Sequence, residues 1–117
     1  MANLGNAGLT IRTESRGDAV LVQPAGDVDL TASPVLRQAL KQVLQAKPAR
    51  LIVDLSSVPY MDSSGVATLV EAMQIARKNG TRMMLCALQD KVRSIFEIAR
   101  LDTVFTIHAT PEAAIGG

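Results

Sequence analysis

Residues 51–80, LIVDLSSVPYMDSSGVATLVEAMQIARKNG, decide the fold. Leu51-Ile52-Val53 is rich in β-formers and unbroken by charge, which is the pattern of a strand covered on both faces. An irregular crossing leads to an exposed turn, Asp62-Ser63-Ser64-Gly65. Val66, Leu69, Val70, Met73 and Ala76 then recur every three or four positions and form the buried stripe of a long amphipathic helix. Arg77 and Lys78 complement the negative end of its dipole, and Asn79-Gly80 supply a left-handed stop. The apolar run that follows, RMMLCAL over residues 82–88, is another buried strand. Strand, helix and strand in this order demand parallel strands joined by a right-handed crossover.

The same alternation continues outward. Residues 9–14 alternate at period two, as a half-buried strand does. Ser15-Arg16-Gly17-Asp18 is turn chemistry, and AVLVQ over 19–23 is a second strand, so the chain opens with a hairpin. Residues 1–8, small and polar, have little to bury and are expected to be a frayed, flexible terminus. After the second strand a loop runs over residues 27–31. Ser33 is expected to cap the next helix, with Pro34 at its first position. Leu36, Ala39, Leu40, Val43 and Leu44 are its stripe, and Pro48 marks its end. Toward the C-terminus, Asp90 is placed to cap a third helix with Val92, Ile95, Phe96 and Ala99 inward. A last strand is expected over 103–107, and Thr110-Pro111 opens a short helix.

The predicted order is β-β-α-β-α-β-α-β-(α). It describes one α/β domain over residues 9–117, with a mixed, mostly parallel sheet of about five strands, an N-terminal hairpin, and flanking helices. In such units the strand-to-helix loops emerge together at the carboxyl edge of the sheet. That edge should gather residues 27–31, 58–65 and 89–91.

Composition narrows the function. A chain of 117 residues holds one core. With 48% hydrophobic residues and only 3% aromatic, that core is aliphatic and offers no platform for base stacking. Twelve basic and eleven acidic residues give a net charge of +1, which argues against direct binding to nucleic acid or to an acidic membrane surface. No apolar run is long enough to span a membrane, and the first residues lack the build of a signal peptide. The single Cys86 excludes a disulfide framework and suits a reducing compartment. A cytoplasmic protein without membrane insertion is expected.

No catalytic constellation emerges, so the chain is not expected to be an enzyme. His108 has no third group to orient it, and Cys86 lies mid-strand as a core filler. Zinc would need three or four nitrogen or sulfur ligands. Both glycine-rich phosphate-binding fingerprints are missing from the sequence. Asp27, Asp29, Asp54 and Asp62 fall near one edge, but Asp54 reads more simply as a turn-forming residue, and neither metal nor cofactor is expected. A receiver domain would need an acidic pair after its first strand and a lysine after its last, and neither stands there. What remains is Ser63. It sits where a helix begins, so Asp62 or a serine serves as a cap; its hydroxyl is also open to a kinase, and free amides with the helix dipole would tolerate a phosphate.

The run Val53-Asp54-Leu55-Ser56-Ser57-Val58-Pro59-Tyr60-Met61-Asp62-Ser63-Ser64-Gly65-Val66-Ala67 resembles the signature of anti-sigma factor antagonists of the STAS-domain family. Gly26-Asp27-Val28-Asp29 resembles that family's second recurring segment, G-x-(L/V)-D, and element order matches over nearly the whole chain. The resemblance implies a STAS fold and partner switching. The unphosphorylated form would bind an anti-sigma factor that is also a serine-protein kinase of the histidine-kinase-like ATPase type, releasing its sigma factor. Phosphorylation of Ser63 would end binding, and a PP2C-type serine phosphatase would reset it. Asp27, Asp29, Thr31, Met61, Asp62, Ser64, Gly65 and Val66 are the implied partner-binding residues. A constitutive STAS scaffold or transporter-regulatory subunit, with Ser63 only a cap, is the alternative. Lys91 and Arg93, in the first turn of the third helix, read as solvated residues or as an answer to acidic groups on a partner.

Overall fold

The computed structural model describes residues 2–6 and 8–116, with side chains described from residue 8 onward. Six strands form one sheet: β1 (Ala2–Asn6), β2 (Leu9–Arg16), β3 (Ala19–Ala25), β4 (Arg50–Asp54), β5 (Arg82–Cys86) and β6 (Thr106–His108). Among the described residues there are also four helices: α1 (Ser33–Gln45), α2 (Ser63–Asn79), α3 (Asp90–Ile98) and α4 (Pro111–Gly116). The strands lie in the sheet in chain order, β1 to β6. β2 runs antiparallel to both of its neighbours, β1 and β3, while β3 through β6 are parallel. The α/β class, the opening hairpin and the parallel middle are as the sequence predicts. The sheet has one strand more than the five expected, because Ala2–Asn6 pairs with β2, with Leu4 opposite Ile11.

Strand order explains the layers. Each parallel strand lies beside its predecessor, and right-handed crossovers in one direction place every connecting helix on the same face. The main core accordingly contains Ile11, Val22, Leu51 and Val53 from the sheet with Leu36 and Leu40 of α1, Leu69 and Met73 of α2, and Val92 and Phe96 of α3. Alternate strand residues, Ala19, Leu21, Ile52, Met84 and Cys86, point to the other face, where Ala114 and Ile115 of α4 cover them. Arg50 fastens that lid. Its Nη1 donates to the carbonyls of Ile115 (2.6 Å) and Ala114 (3.3 Å), while Nε and Nη2 bind Asp18 in the hairpin turn at 3.0 and 2.8 Å.

Helix boundaries follow local chemistry, with three corrections. Gly80 takes the left-handed conformation (φ 76°) that ends α2, as expected. Ser33 does not cap α1: the capping position is Ala32, whose N–H donates to Asp29 Oδ1 (2.9 Å), and Ser33 is the first helical residue with Pro34 behind it. Asp90 likewise stands inside α3 as its first residue, and Gln89 occupies the capping position. The last strand starts at Thr106 rather than at residue 103. Residues 102–104 form a turn instead, from which Phe105 packs edge-on against Phe96 with ring centroids 5.7 Å apart.

Candidate functional site

At the carboxyl edge, two loops run side by side beyond the last paired residues of β3 and β4. Gly26 N–H donates to the Ser57 carbonyl (2.9 Å), Val28 N–H to the Tyr60 carbonyl (3.0 Å), and Asp62 N–H to the Val28 carbonyl (3.2 Å). Gln89 brings in the third loop, its Nε2 donating to the Ser56 carbonyl at 2.9 Å. The 27–31, 58–65 and 89–91 loops therefore share one edge, as the topology requires, and are bonded to a common frame.

The frame converges on Asp62. In extended conformation (φ −101°, ψ −172°), it is the N-cap of α2. Its Oδ1 accepts from Ser64 N–H (2.9 Å), Gly65 N–H (3.3 Å) and the Ser64 hydroxyl (2.5 Å). Its Oδ2 accepts from Leu30 N–H at 3.1 Å, which ties the 27–31 loop to the start of α2. The Ser64 hydroxyl, with the three amides behind it, holds the Asp62 carboxyl below its ordinary range, although desolvation pulls the other way. The cap expected from the sequence is thus the aspartate. Ser63, the first residue of the helix, is exposed and its hydroxyl has no hydrogen-bond partner among the described residues.

The other candidate residues divide by burial. Asp27 and Thr31 are exposed. Asp29 is half-buried and works as a turn former: its carboxylate takes Ala32 N–H and its carbonyl takes Ser33 N–H at 2.8 Å. Met61, Gly65 and Val66, expected from the resemblance as contact residues, are buried and cannot offer surface to a partner as they stand. The packing explains why. A Cβ on Gly65 would lie 2.6 Å from Met61 Cγ and 2.9 Å from both Val28 Cγ1 and the Val28 carbonyl oxygen, so α2 starts as close to the 27–31 loop as a glycine allows. Val66 follows into the same core.

Two surface residues were not singled out by the sequence. Leu30 is 75% exposed and Tyr60 is 47% exposed, and both sit on the paired loops beside Ser63. The available signal was a large apolar side chain in each of two loops, where neither strand nor helix periodicity claims it. Lys91 is exposed and lines an open groove with Pro59, Gln89 and Asp90 along the same edge; Arg93 is half-buried.

Asp54 is buried, accepting from Ser56 N–H (3.0 Å) and Gln23 Nε2 (3.1 Å), so it closes the turn after β4. Among the described residues no three His, Cys, Asp or Glu side chains are grouped to hold a metal ion. Cys86 is buried, and desolvation, with the Asp54 and Glu112 charges, pushes its thiol up to about 12, which leaves no thiolate for nucleophilic work at neutral pH. His108 lies opposite Cys86 in the sheet register. No helix among the described residues is long and apolar enough to cross a membrane.

Residues 10–114 match the family model of the STAS domain. The anti-sigma-B factor antagonist of Listeria monocytogenes is 32% identical over 91 residues, covering 77% of this chain and 79% of that protein. Among solved structures, an anti-sigma factor antagonist from Mycobacterium paratuberculosis aligns with a TM-score of 0.87 at 24% identity, covering 97% of each chain. The Bacillus cell fate determinant SpoIIAA in its phosphorylated form aligns with a TM-score of 0.71 at 23% identity, over 91% of this chain and 96% of that one. Both of these structural likenesses are likenesses of fold.

Proposed function

Because the chain belongs to the STAS-domain family of anti-sigma factor antagonists, we propose that it acts by partner switching, with Ser63 as the phosphorylated residue. The unphosphorylated protein binds an anti-sigma factor that is also a serine-protein kinase and thereby frees a sigma factor. Phosphorylation of Ser63 ends that binding, and a PP2C-type serine phosphatase restores it. The observation that carries this reading is the state of Ser63: an exposed hydroxyl without a partner among the described residues, at the first position of α2 and next to the Asp62 cap.

The physical argument needs no catalytic residue in this chain. A phosphate at Ser63 adds about −1.5 to −2 charges. The amino end of α2 tolerates that charge within the fold, so the domain stays folded. A partner covering the surface meets a different cost. It must desolvate the phosphate beside the Asp62 carboxylate while burying Leu30 and Tyr60 against itself. A penalty of about 2.7 kcal/mol already weakens binding roughly a hundredfold. The occurrence of SpoIIAA, a protein of the same fold, in a phosphorylated form supports the tolerance part of this argument.

The contact surface on this reading is Leu30, Tyr60, Asp27, Thr31 and Ser63, with Asp29, Asp62 and Ser64 shaping it and Met61, Gly65 and Val66 supporting it from beneath. The test compares wild type, Ser63→Ala and Ser63→Asp as immobilised baits in a lysate of the source cells. Wild type and Ser63→Ala should retain an ATP-binding anti-sigma factor that Ser63→Asp loses. Equal retention by all three would leave a constitutive STAS subunit as the better reading.

A further inference from the structure

Ser63 and Ser64 are adjacent, bear the same hydroxyl, and share the start of α2, yet the fold treats them differently. Ser63 is exposed, and its Oγ has no hydrogen-bond partner among the described residues. Ser64 is half-buried and its hydroxyl donates to Asp62 Oδ1 at 2.5 Å, while its own amide donates to the same oxygen at 2.9 Å. We infer that Asp62 selects which of the two serines receives the phosphate, by engaging the Ser64 hydroxyl and leaving that of Ser63 free. This inference rests on the phospho-acceptor reading of Ser63 given above.

The chemistry makes the difference count. In transfer from ATP, the acceptor oxygen forms a bond to the γ-phosphorus while the bond from that phosphorus to the bridging oxygen breaks. ADP leaves, and the acceptor's proton passes to a base on the kinase. The Ser63 proton is available to such a base. The Ser64 proton is already committed to a carboxylate, and its oxygen is held in against the cap. Asp62 does not activate Ser64 in compensation. Its Oδ1 also accepts the amides of Ser64 and Gly65, and the carboxyl lies below its ordinary range, so it is a poor proton acceptor. Turning Ser64 toward an incoming phosphorus means breaking a charge-assisted hydrogen bond. Asp62 is therefore a positioning residue, acting on the choice of acceptor through Ser64.

The experiment moves the phosphate. Wild type, Ser63→Ala and the double variant Asp62→Ala/Ser63→Ala are incubated with ATP and source-cell lysate, checked for folding by circular dichroism, and mapped by mass spectrometry. Wild type should carry phosphate at Ser63, and Ser63→Ala almost none at Ser64. The double variant should gain phosphate at Ser64 by about tenfold or more over Ser63→Ala, the ratio expected from releasing one charge-assisted hydrogen bond. A purely structural cap would lower phosphorylation without moving it to Ser64. If Asp62→Ala does not fold, Asp62→Ser keeps one oxygen for the helix amides without a carboxylate for the hydroxyl, and the same gain is expected. Phosphate on Ser64 in the single Ser63→Ala variant at the wild-type rate overturns the inference. So does a folded double variant that stays unmodified while wild type is phosphorylated at Ser63; both results leave the phospho-acceptor reading standing. Absence of phosphate from wild type overturns that reading, and the inference with it.

Discussion

Leu30 N–H donates to Asp62 Oδ2 at 3.1 Å, so one carboxylate both caps α2 and holds the loop that displays Leu30. The backbone of Leu30 is committed while its side chain is 75% exposed. That combination presents an apolar group on a fixed support, which lowers the ordering cost of using it as a contact.

Leu30→Ala and Tyr60→Ala should therefore each weaken partner binding by about tenfold or more, as loss of an interface anchor does, while changing stability by less than about 0.5 kcal/mol. Titration calorimetry with the captured partner, set beside urea unfolding of each variant, separates the two effects. Unchanged affinity in both variants would place the contact elsewhere.

Gly65→Ala should be costly although alanine favours helices. The added methyl would stand 2.6 Å from Met61 Cγ, and 2.9 Å from a backbone oxygen of Val28 that cannot turn aside. Overpacking of this kind costs about 1–3 kcal/mol. The midpoint of urea unfolding should fall accordingly, whereas Ala67→Gly, on the exposed side of the same turn, should cost only about 1 kcal/mol from helix propensity.

Asp62 has a pH signature. Its carboxyl lies below the ordinary value of 3.8, with the Ser64 hydroxyl as the largest cause and the amides of Gly65, Ser64 and Leu30 adding to it. A depressed folded-state value means the stabilisation is complete above the unfolded value and disappears as pH falls through the folded one. Asp62→Ala should cost about 1–2 kcal/mol at neutral pH, as loss of a helix cap does. In urea unfolding at a series of pH values, the gap between wild type and variant should hold above pH 3.8 and narrow below it, the protonated carboxyl keeping an oxygen for the helix amides. A gap independent of pH would mean that the carboxylate charge contributes nothing.

Cys86 should resist alkylation in the folded protein at pH 8 and react promptly in urea, because it is buried with its thiol pushed up to about 12. Arg50→Ala should accelerate that reaction. It removes the side chain that holds the Ala114 and Ile115 carbonyls, and so loosens the short helix covering the Cys86 face. Labelling followed by intact mass spectrometry reads both effects. Fast labelling of native wild type would contradict the closed packing of that face.

Much of this arrangement was legible in the chain because it depends on period and punctuation. The alternation of residues 9–14, the apolar run of β4, and the stripe of α2 closed by Asn79-Gly80 each follow from local rules. The capping of α1 escapes local rules because Ser33-Pro34 looks like a helix start, while Asp29 reaches forward to the Ala32 amide. The inward turn of Met61 was hidden for another reason. A residue in a loop has no periodicity to assign its side, and only the pairing of Val28 with Met61 across the two loops fixes it. The same limit hid Leu30 and Tyr60. Ser63 could be placed at a helix start from sequence, and the resemblance picks it over Ser64, but which hydroxyl Asp62 holds is visible only in the structure.

The strictly sequential order of the six strands also bears on how the protein is made. Each strand finds its neighbour in the segment synthesised just before it, so no strand must wait for a distant one to appear. Pairing with the neighbour in sequence keeps each loop closure shorter than pairing with a more distant strand would. A chain leaving the ribosome can therefore extend its sheet from one side, and β4, covered on both faces in the finished domain, already has β3 to pair with when it emerges. The segment at Asp62 and Ser63 follows directly, and its supporting loop from residue 27 to residue 31 is already in place to receive it.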